Sequence, residues 1–447
     1  MQLDISSLVD TRNGTLDPRI FVDEEIYSLE LKNVFARSWL YLAHDSQLVK
    51  PGDYITTFMG EDPVIVARQK DGSVAAFMNQ CRHRGMRLCR ADSGKAKAFS
   101  CSYHGWTYDL GGRLVSVPSE DDAYRNGIDK AEWGAISVTQ LASYKGFIFG
   151  NWDPTAPPLT EYLGDFTWYF DAFADRCEGG LEVIGGSHRW VLPANWKFAA
   201  EQFASDMYHV PVSHASAALA LAPDDMEADL EVFPLDGDQG RQFSSPWGHG
   251  TGFFTSSGDV LALIVGREPG DWFQGGNPEV VERLGSARAL NMRGMHATLF
   301  PNLSFLPGIN TLRIWHPRGP NEMEVWAWTV VDKTAPPEVR ERQRIGTLRT
   351  FGSAGMLEQD DGENWSEIQQ VLRGHVARQT PFNAQMGLGL DREDDPDFPG
   401  RVNRVYCEMA ARGFYGRWAQ MLSGASWDEL AVTPPLAPTS ATGVAPR

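Results

Sequence analysis

The chain has 447 residues, of which 42% are hydrophobic and 22% charged, and its formal net charge at pH 7 is -18. This composition is typical of a globular protein with a large core, and the length predicts two to three domains. The negative charge argues against nucleic acid or an anionic membrane surface as a partner. No apolar run is long enough to span a bilayer and the amino terminus has no signal region, so we expect a cytoplasmic protein.

Local patterns divide the chain into four predicted segments. Residues 1–37 contain a helical pattern with apolar residues at Ile26, Leu29 and Val34, and we expect this segment to pack on the C-terminal domain. Residues 38–155 consist of short β-rich runs separated by Gly, Asp and Pro, which predicts a compact β domain. Residues 156–433 form the second predicted domain, and the Pro-, Ala- and Thr-rich residues 434–447 are predicted to be disordered.

Three of the five cysteines lie close together in the predicted β domain. So few cysteines, in an odd number and without a signal peptide, do not make a disulfide framework and indicate metal or redox chemistry. Cys81-x-His83 and Cys101-x2-His104 supply two Cys/His pairs, each followed by a glycine that permits a tight turn. Cys89 is expected to be a packing residue, because the two pairs already complete a ligand set.

Two kinds of metal site use these four ligands. A Rieske [2Fe-2S] centre has two thiolates on one iron and two neutral imidazoles on the other. A structural zinc site also uses two cysteines and two histidines. Zinc fingers usually place both cysteines first and both histidines last, whereas each loop here provides one of each. The spacing therefore favours the [2Fe-2S] cluster.

The stretch from Asn195 to His214 has apolar residues at steps of three and four, the pattern of a helix with one buried face. Asn195 is the expected N-cap, and Pro211 is expected to end the helix near His209 because it lacks an amide proton. The chain could then bring His214 back toward His209. Two histidines and a distant carboxylate form the facial triad of non-haem Fe(II) oxygenases. Taken alone, the segment is better explained as a capped core helix with two incidental histidines.

Three acids compete to be the carboxylate ligand: Glu358, Asp360 and Asp361. The helical stripe that recurs at steps of four, four, three and four contains Leu357, Asp361, Trp365, Ile368 and Leu372. Asp361 is the one acid on this inward stripe, and a buried carboxylate is costly unless it is paired or bound to metal. Glu358 and Asp360 are expected to lie on a solvated face.

These motifs resemble the large (α) subunit of Rieske non-haem iron aromatic-ring-hydroxylating dioxygenases, in particular the toluene/biphenyl branch. The resemblance covers residues 38–390, and it extends beyond the cluster loops to 195–214, 300–322 and 358–365. It implies an α+β fold of helix-grip type. In such a fold a β-rich Rieske domain precedes a catalytic domain that is built on an antiparallel sheet with helices.

The resemblance also implies a role for individual residues. The [2Fe-2S] ligands would be Cys81, His83, Cys101 and His104, and the ligands of the mononuclear Fe(II) would be His209, His214 and Asp361. The matching aspartate of the family links two subunits, so Asp206 is expected to connect His209 with His104 of a neighbouring subunit. The expected lining of the substrate pocket, which would hold a flat apolar arene by burial, is Gln202, Phe203, Met207, His296, Leu306, Gly308, Ile309, Phe351 and Leu357.

The implied activity is that of the catalytic subunit of a multicomponent dioxygenase, which adds both atoms of O2 to an apolar aromatic hydrocarbon and forms a cis-dihydrodiol. Electrons would arrive from NAD(P)H through a reductase and a ferredoxin, and a small β subunit would complete an α3β3 assembly. A Rieske monooxygenase or demethylase is the first alternative, and an electron carrier or zinc-stabilised binding protein is the second. The basic residues within 81–97 fit either a docking surface for an acidic ferredoxin or arginines that pack over the cluster loops.

Overall fold

The structure is a computed structural model that describes residues 4–125, 127–221, 236–255, 260–391 and 395–436. The chain divides into two compact units, a larger one formed by residues 1–34 and 160–447 and a smaller one formed by residues 35–159. Among the described helices, none has both the length and the apolar character needed to cross a membrane.

The amino-terminal part of the larger unit has its α-helix in its second half. It contains β1 (Val9–Asp10), β2 (Thr15–Leu16) and α1 (Glu24–Leu29), which continues as a π-helix over Glu30–Phe35. Asp23 is the N-cap of α1, because its side chain accepts hydrogen bonds from the backbone N–H groups of Glu25 and Ile26.

The smaller unit is built almost entirely from short antiparallel strands. Its elements are β3 (Leu40–His44), β4 (Asp53–Met59), β5 (Asp62–Arg68), β6 (Val74–Met78), β7 (Ser93–Lys95), β8 (Ala98–Ser100), β9 (Thr107–Asp109), β10 (Leu114–Ser116), α2 (Glu120–Ala123), β11 (Gln140–Tyr144) and β12 (Phe147–Asn151). Three sheets form, in the orders β6-β5-β4-β7, β10-β9-β8 and β11-β12-β3. The predicted β domain is thus present, and one of its buried clusters includes both Cys81 and Cys101.

The remaining elements begin at residue 159. They are α3 (Leu159–Leu163), α4 (Phe166–Ala174), β13 (Leu181–Leu192), α5 (Trp196–Ser205), α6 (Val210–Ser213), α7 (Ala215–Leu221), β14 (Gly240–Ser244), β15 (Gly250–Phe254), α8 (Val260–Val265), α9 (Arg267–Gly275), α10 (Asn277–Leu284), α11 (Ser286–Leu290), β16 (Arg293–Leu299), β17 (Leu303–Leu306), β18 (Thr311–Pro317), β19 (Met323–Asp332), α12 (Pro337–Phe351), α13 (Met356–Val371), β20 (Phe382–Asn383), β21 (Arg401–Arg404), α14 (Met409–Leu422) and α15 (Trp427–Val432). Short 3-10 helices cover Ile5–Ser7, Pro18–Phe21, Asp45–Gln47, Gly237–Gln239 and Ala377–Gln379.

An eight-stranded antiparallel sheet forms the centre of the larger unit, in the order β13-β19-β18-β17-β16-β15-β14-β21. The predicted α+β class with an antiparallel catalytic sheet is confirmed. β2 pairs with β20, which ties the amino-terminal segment to the larger unit. At the other end of the chain, residues 437–447 of the predicted disordered tail lie outside the described residues, whereas Leu436 packs with Cys407 and Met409.

Side chains from the sheet fix the C-terminal half of α5. Thr298 donates to the carbonyl of Ala200 at 2.7 Å, and Gln242 donates to the carbonyl of Ser205 at 2.5 Å. Each contact gives a carbonyl group of α5 a side-chain donor from the sheet and holds the helix against it. The sheet therefore sets the position of the chain that follows α5.

The predicted end of this helix near His209 is wrong. α5 begins after the N-cap Asn195 as predicted, but it ends at Ser205. The Asp206 side chain accepts a hydrogen bond from the backbone N–H of His209 at 3.0 Å, which gives that N–H a partner other than a helical carbonyl. Pro211 lies in the first turn of α6, where a missing amide proton costs nothing.

The buried residue His249 is expected to make folding stability depend on pH. Its Nδ1 accepts from the backbone N–H of Phe300 at 2.9 Å and its Nε2 donates to the carbonyl of Tyr162 at 2.8 Å, so the ring is held neutral. Burial lowers the pKa of His249 to about 3. A histidine that protonates near pH 6.5 only in the unfolded chain stabilises the fold above that pH, and this contribution is lost as the pH falls toward 3.

For His249→Gln, we expect the stability difference between pH 7 and pH 5 to shrink by about 2 kcal/mol relative to the unsubstituted chain. Glutamine keeps a polar group in the pocket but does not titrate. Urea unfolding followed by tryptophan fluorescence at both pH values measures this difference. The same pH dependence in both proteins would show that His249 is not responsible.

Candidate functional site

Two loops of the smaller unit have the same backbone geometry. The N–H of Gly85 donates to the carbonyl of Cys81 and the N–H of Gly105 to that of Cys101, both at 2.9 Å. These glycines have φ angles of +74° and +75°, which favour glycine over other residues. A side chain at Gly105 would also approach Pro118 to 2.9 Å. The glycine after each Cys/His pair thus closes the turn that presents the pair.

The two pairs fit an iron–sulfur cluster. Cys81 and Cys101 are buried free cysteines, and the rings of His83 and His104 lie 4.6 Å apart. His83 Nδ1 is buried without a hydrogen-bond partner among the described residues. Desolvation and the nearby His104 and Arg84 place the pKa of His83 below its ordinary value, as a neutral ligand requires.

A single zinc ion does not fit these four residues. A tetrahedral ion needs its ligand atoms within about 4 Å of one another. In the described part of the chain, the one group of three or more such residues with all ligand atoms within 4.8 Å is His209, His214 and Asp361. The Cys/His pairs are therefore spread more widely than one ion allows, as a two-iron cluster requires.

The basic residues around the cluster loops divide into two groups. Arg82 belongs to the fold, because its Nη1 donates to the carbonyl of Gly134 and its guanidinium lies over the Trp133 ring. The side chains that are exposed to solvent are Arg84, Arg87, Arg90, Lys95 and Lys97. Packing therefore accounts for Arg82 and in part for Arg87, whose guanidinium lies 5.6 Å from the centre of the Phe58 ring. Docking of an acidic ferredoxin on the exposed residues stays a prediction. Cys89 is partly buried against the core that contains both cluster cysteines.

Three ligand atoms converge in the larger unit. His209 Nε2 and His214 Nε2 are 3.2 Å apart, and each lies 3.4 Å from Asp361 Oδ1. Three ligands at right angles around a first-row metal, with bonds of about 2.1 Å, would be separated by about 3 Å. The group matches one face of an octahedron and leaves the opposite side open.

The outer nitrogens of both rings have oxygen partners. His209 Nδ1 donates to the carbonyl of Asp206 at 2.6 Å, and His214 Nδ1 donates to Asp360 Oδ2 at 3.1 Å. The protons are held on Nδ1 by these acceptors, so the Nε2 lone pairs of both rings point toward Asp361. Such a convergence of lone pairs and a carboxylate is favourable only around positive charge.

The pKa values of Asp361 and His209 also indicate that these residues favour a positive charge between them. Burial disfavours the charged form of Asp361, but the neighbouring His214 and His209 outweigh it and hold the pKa of Asp361 below the ordinary range. Burial of His209 is likewise outweighed by Asp206 and Asp361, which raise its pKa well above the ordinary value. The residues therefore fit a divalent metal ion.

Helix α13 places Asp361 inward as the periodicity predicts, since Leu357, Asp361 and Trp365 are all buried. Two expectations for this helix are wrong. Ile368 is 37% exposed, and Gln369 is buried in its place. Glu358 is 2% exposed because Arg313 on β18 pairs with it, and burial raises the pKa of Glu358 to about 7.

Asp206 lies in the loop between α5 and α6 and contacts one of its two expected partners. Its Oδ2 lies 3.4 Å from His209 Nδ1, and its side chain is 36% exposed. The contact with His104 of a neighbouring subunit stays a prediction.

An apolar cavity opens beside the three convergent residues. It brings together all the predicted lining residues except Gly308, whose left-handed backbone turn lies against Leu261. The pattern analysis missed the further lining residues Val210, Phe254, Leu261, Ile264, Gly294, Met295 and Pro307. Leu261 and Ile264 are three apart in α8, a spacing that indicates a helix face but not what that face covers.

Comparison with known proteins agrees with this geometry. Residues 38–144 match the Rieske [2Fe-2S] domain, and residues 181–424 match the ring hydroxylating alpha subunit, catalytic domain. The chain is 53% identical over 437 residues to the biphenyl 2,3-dioxygenase subunit alpha of Rhodococcus jostii (strain RHA1), covering 97% of this chain and 94% of that one.

Two further relatives extend the comparison. The benzene 1,2-dioxygenase subunit alpha of Pseudomonas putida is 53% identical, with 96% of both chains covered. A solved structure of naphthalene 1,2-dioxygenase with indole bound in its active site superposes with a TM-score of 0.87 at 36% identity, covering 95% of each chain. The resemblance drawn from the motifs is thereby confirmed, and the chain belongs to the Rieske-type ring-hydroxylating dioxygenase alpha subunits, which bind a [2Fe-2S] cluster and a mononuclear iron.

Proposed function

We propose that this chain is the catalytic subunit of a dioxygenase that converts an apolar aromatic hydrocarbon into a cis-dihydrodiol. One observation supports this above all others: the two imidazoles and one carboxylate converge at the edge of a cavity with an apolar lining. The relatives named for biphenyl and benzene support an arene of one or two rings as the substrate. The Rieske domain would span 38–155 and the catalytic domain 156–433, with residues 1–37 packed on the latter.

Each metal site is proposed with its full ligand set. Cys81, His83, Cys101 and His104 would hold the cluster, and His209, His214 and Asp361 would hold the iron. When bound, the cluster supplies electrons and the iron supplies the reaction with dioxygen.

The chain itself contributes placement and exclusion of water. Phe203, Leu357 and the other apolar lining residues would hold the arene by burial, beside the open side of the triad formed by His209, His214 and Asp361. The Asp206 carbonyl and Asp360 keep the Nδ1 protons of His209 and His214 away from the centre.

Partners follow from membership of a multicomponent family. We propose a small β subunit in an α3β3 assembly, with a ferredoxin and an NAD(P)H-dependent reductase as electron donors in the cytoplasm. Asp206 would join His209 to His104 of the neighbouring subunit and complete the electron path between the two metal sites.

Labelled dioxygen separates the proposed function from a Rieske monooxygenase. The protein would be incubated with ¹⁸O2, benzene or biphenyl, NADH and a ferredoxin–reductase pair, and the product would be examined by mass spectrometry. Two ¹⁸O atoms in one cis-dihydrodiol are expected. One ¹⁸O atom in the product would instead favour the monooxygenase.

Metal analysis tests the second alternative, an electron carrier or zinc-stabilised protein. Anaerobically purified protein should contain about three irons and two acid-labile sulfides per chain. About one zinc without sulfide would overturn both metal assignments.

Leu357 is expected to limit the length of the arene. The variant Leu357→Trp adds bulk at a buried lining residue, so kcat/KM for biphenyl should fall at least about 10-fold more than kcat/KM for benzene. Leu357→Met keeps the volume and serves as the control. Equal losses for both arenes in the Trp variant would place Leu357 away from the bound ring.

A further inference from the structure

The side-chain amide of Gln202 lies between Trp365 and the carboxylate of Asp361. Trp365 Nε1 donates to Gln202 Oε1 at 2.8 Å, and Gln202 Nε2 donates to Asp361 Oδ1 at 2.8 Å. An indole N–H can only donate, and an ionised carboxylate can only accept. These two neighbours therefore fix which end of the amide faces the triad.

The reversed amide would be unfavourable at both ends. Its NH2 group would face the indole N–H, and its oxygen would face the Asp361 carboxylate. Trp365 is 2% exposed, Gln202 8% and Asp361 1%, so water has little access to any group left without a partner. The orientation of the amide thus depends on the indole N–H.

The three residues also connect two elements that supply the triad. Asp361 and Trp365 lie one helical turn apart on α13, and Gln202 lies on α5, just before the loop that contains His209. Gln202 Nε2 lies 3.4 Å from His209 Nε2, so the amide lies beside both a histidine and the carboxylate. A change at Trp365 can reach the triad through this amide without contact between Trp365 and a ligand atom.

We propose that Trp365 is a positioning residue of the metal centre, and that its indole N–H sets the Gln202 amide so that the amide N–H holds Asp361 facing His209 and His214. This inference rests on the proposed function, because it assumes that the triad binds iron. It assigns Trp365 a role apart from its packing against Trp315, whose ring lies 5.6 Å away.

The test compares iron affinity in Trp365→Phe, Gln202→Met and the double variant, all as full-length protein. Mononuclear iron is removed with a chelator and restored by Fe(II) titration against a competing chelator, with metal analysis as the readout. Cluster absorbance reports folding. We expect Trp365→Phe to weaken Fe(II) binding about 10-fold, the effect typical of losing an outer partner of a metal ligand.

The double variant distinguishes positioning from packing. In the Gln202→Met background, Trp365→Phe should change Fe(II) affinity less than 2-fold, because the amide through which it acts is gone. Trp315→Phe is the matched control, since it removes a buried indole N–H that donates to Ser304 and should leave Fe(II) affinity unchanged. An equal loss with and without Gln202, or no loss in Trp365→Phe, would overturn the inference. Failure of the unsubstituted protein to bind Fe(II) would overturn the proposed function instead.

Discussion

Replacing Asp361 by Ala is expected to abolish formation of the dihydrodiol and to leave the Rieske cluster intact. The substitution removes one of three convergent ligands, and no other described carboxylate lies in that group. Loss of a ligand should weaken iron binding by more than about 100-fold, since loss of an outer hydrogen-bond partner alone costs 10- to 100-fold. The cluster ligands belong to the smaller unit and should not be affected.

Iron and sulfide analysis measures this effect separately from activity. Iron should fall from about three to about two per chain, with about two sulfides retained. Asp360→Asn is the matched control, because Asp360 is adjacent in sequence but contacts His214 only through Nδ1. That variant should weaken iron binding less than Asp361→Ala. If Asp361→Ala formed the full amount of product, Asp361 would not belong to the ring-hydroxylating site.

The two Cys/His loops could be predicted from sequence because the information that specifies each loop is local. Each Cys/His pair and its glycine occupy one short loop, and one turn geometry serves both loops. The inward position of Asp361 could be predicted because the helical repeat placed this acid on the same stripe as Leu357 and Trp365. Both predictions depend on interactions between residues that are close in sequence.

The predictions failed where distant residues decide the structure. Glu358 was expected in solvent because periodicity reports polarity only, whereas its partner Arg313 comes from a strand of the central sheet. α5 ends earlier than predicted, and the backbone N–H of His209 donates to the Asp206 side chain instead of to a helical carbonyl. The periodicity of apolar residues does not report this competition between a side chain and the helix for the same N–H. The cavity residues from β15, β16 and α8 meet only after the sheet has formed, so no spacing in the sequence identifies them.

The second large effect is expected at a buried ion pair that joins the amino-terminal segment to α5. Lys197 Nζ lies 2.5 Å from Glu30 Oε1, and both side chains are at most 1% exposed. Glu30 also accepts from the indole N–H groups of Trp196 at 3.0 Å and Trp418 at 2.8 Å. Burial lowers the pKa of Lys197, and the Glu30 carboxylate opposes that shift.

We expect Glu30→Ala to reduce the free energy of unfolding by about 3–5 kcal/mol, because it leaves a buried ammonium group without its counter-charge. Glu30→Gln combined with Lys197→Met should cost less than the sum of the two single variants, since neither charge is then left alone. Urea unfolding at constant pH measures the unsubstituted protein and these four variants. The partly exposed pair Arg19–Asp17 in the same segment provides the control, and Arg19→Gln should change stability by less than about 1 kcal/mol. Additive losses would mean that Glu30 and Lys197 stabilise the fold independently, so that the amino-terminal segment is held to α5 by packing and by the two indole hydrogen bonds.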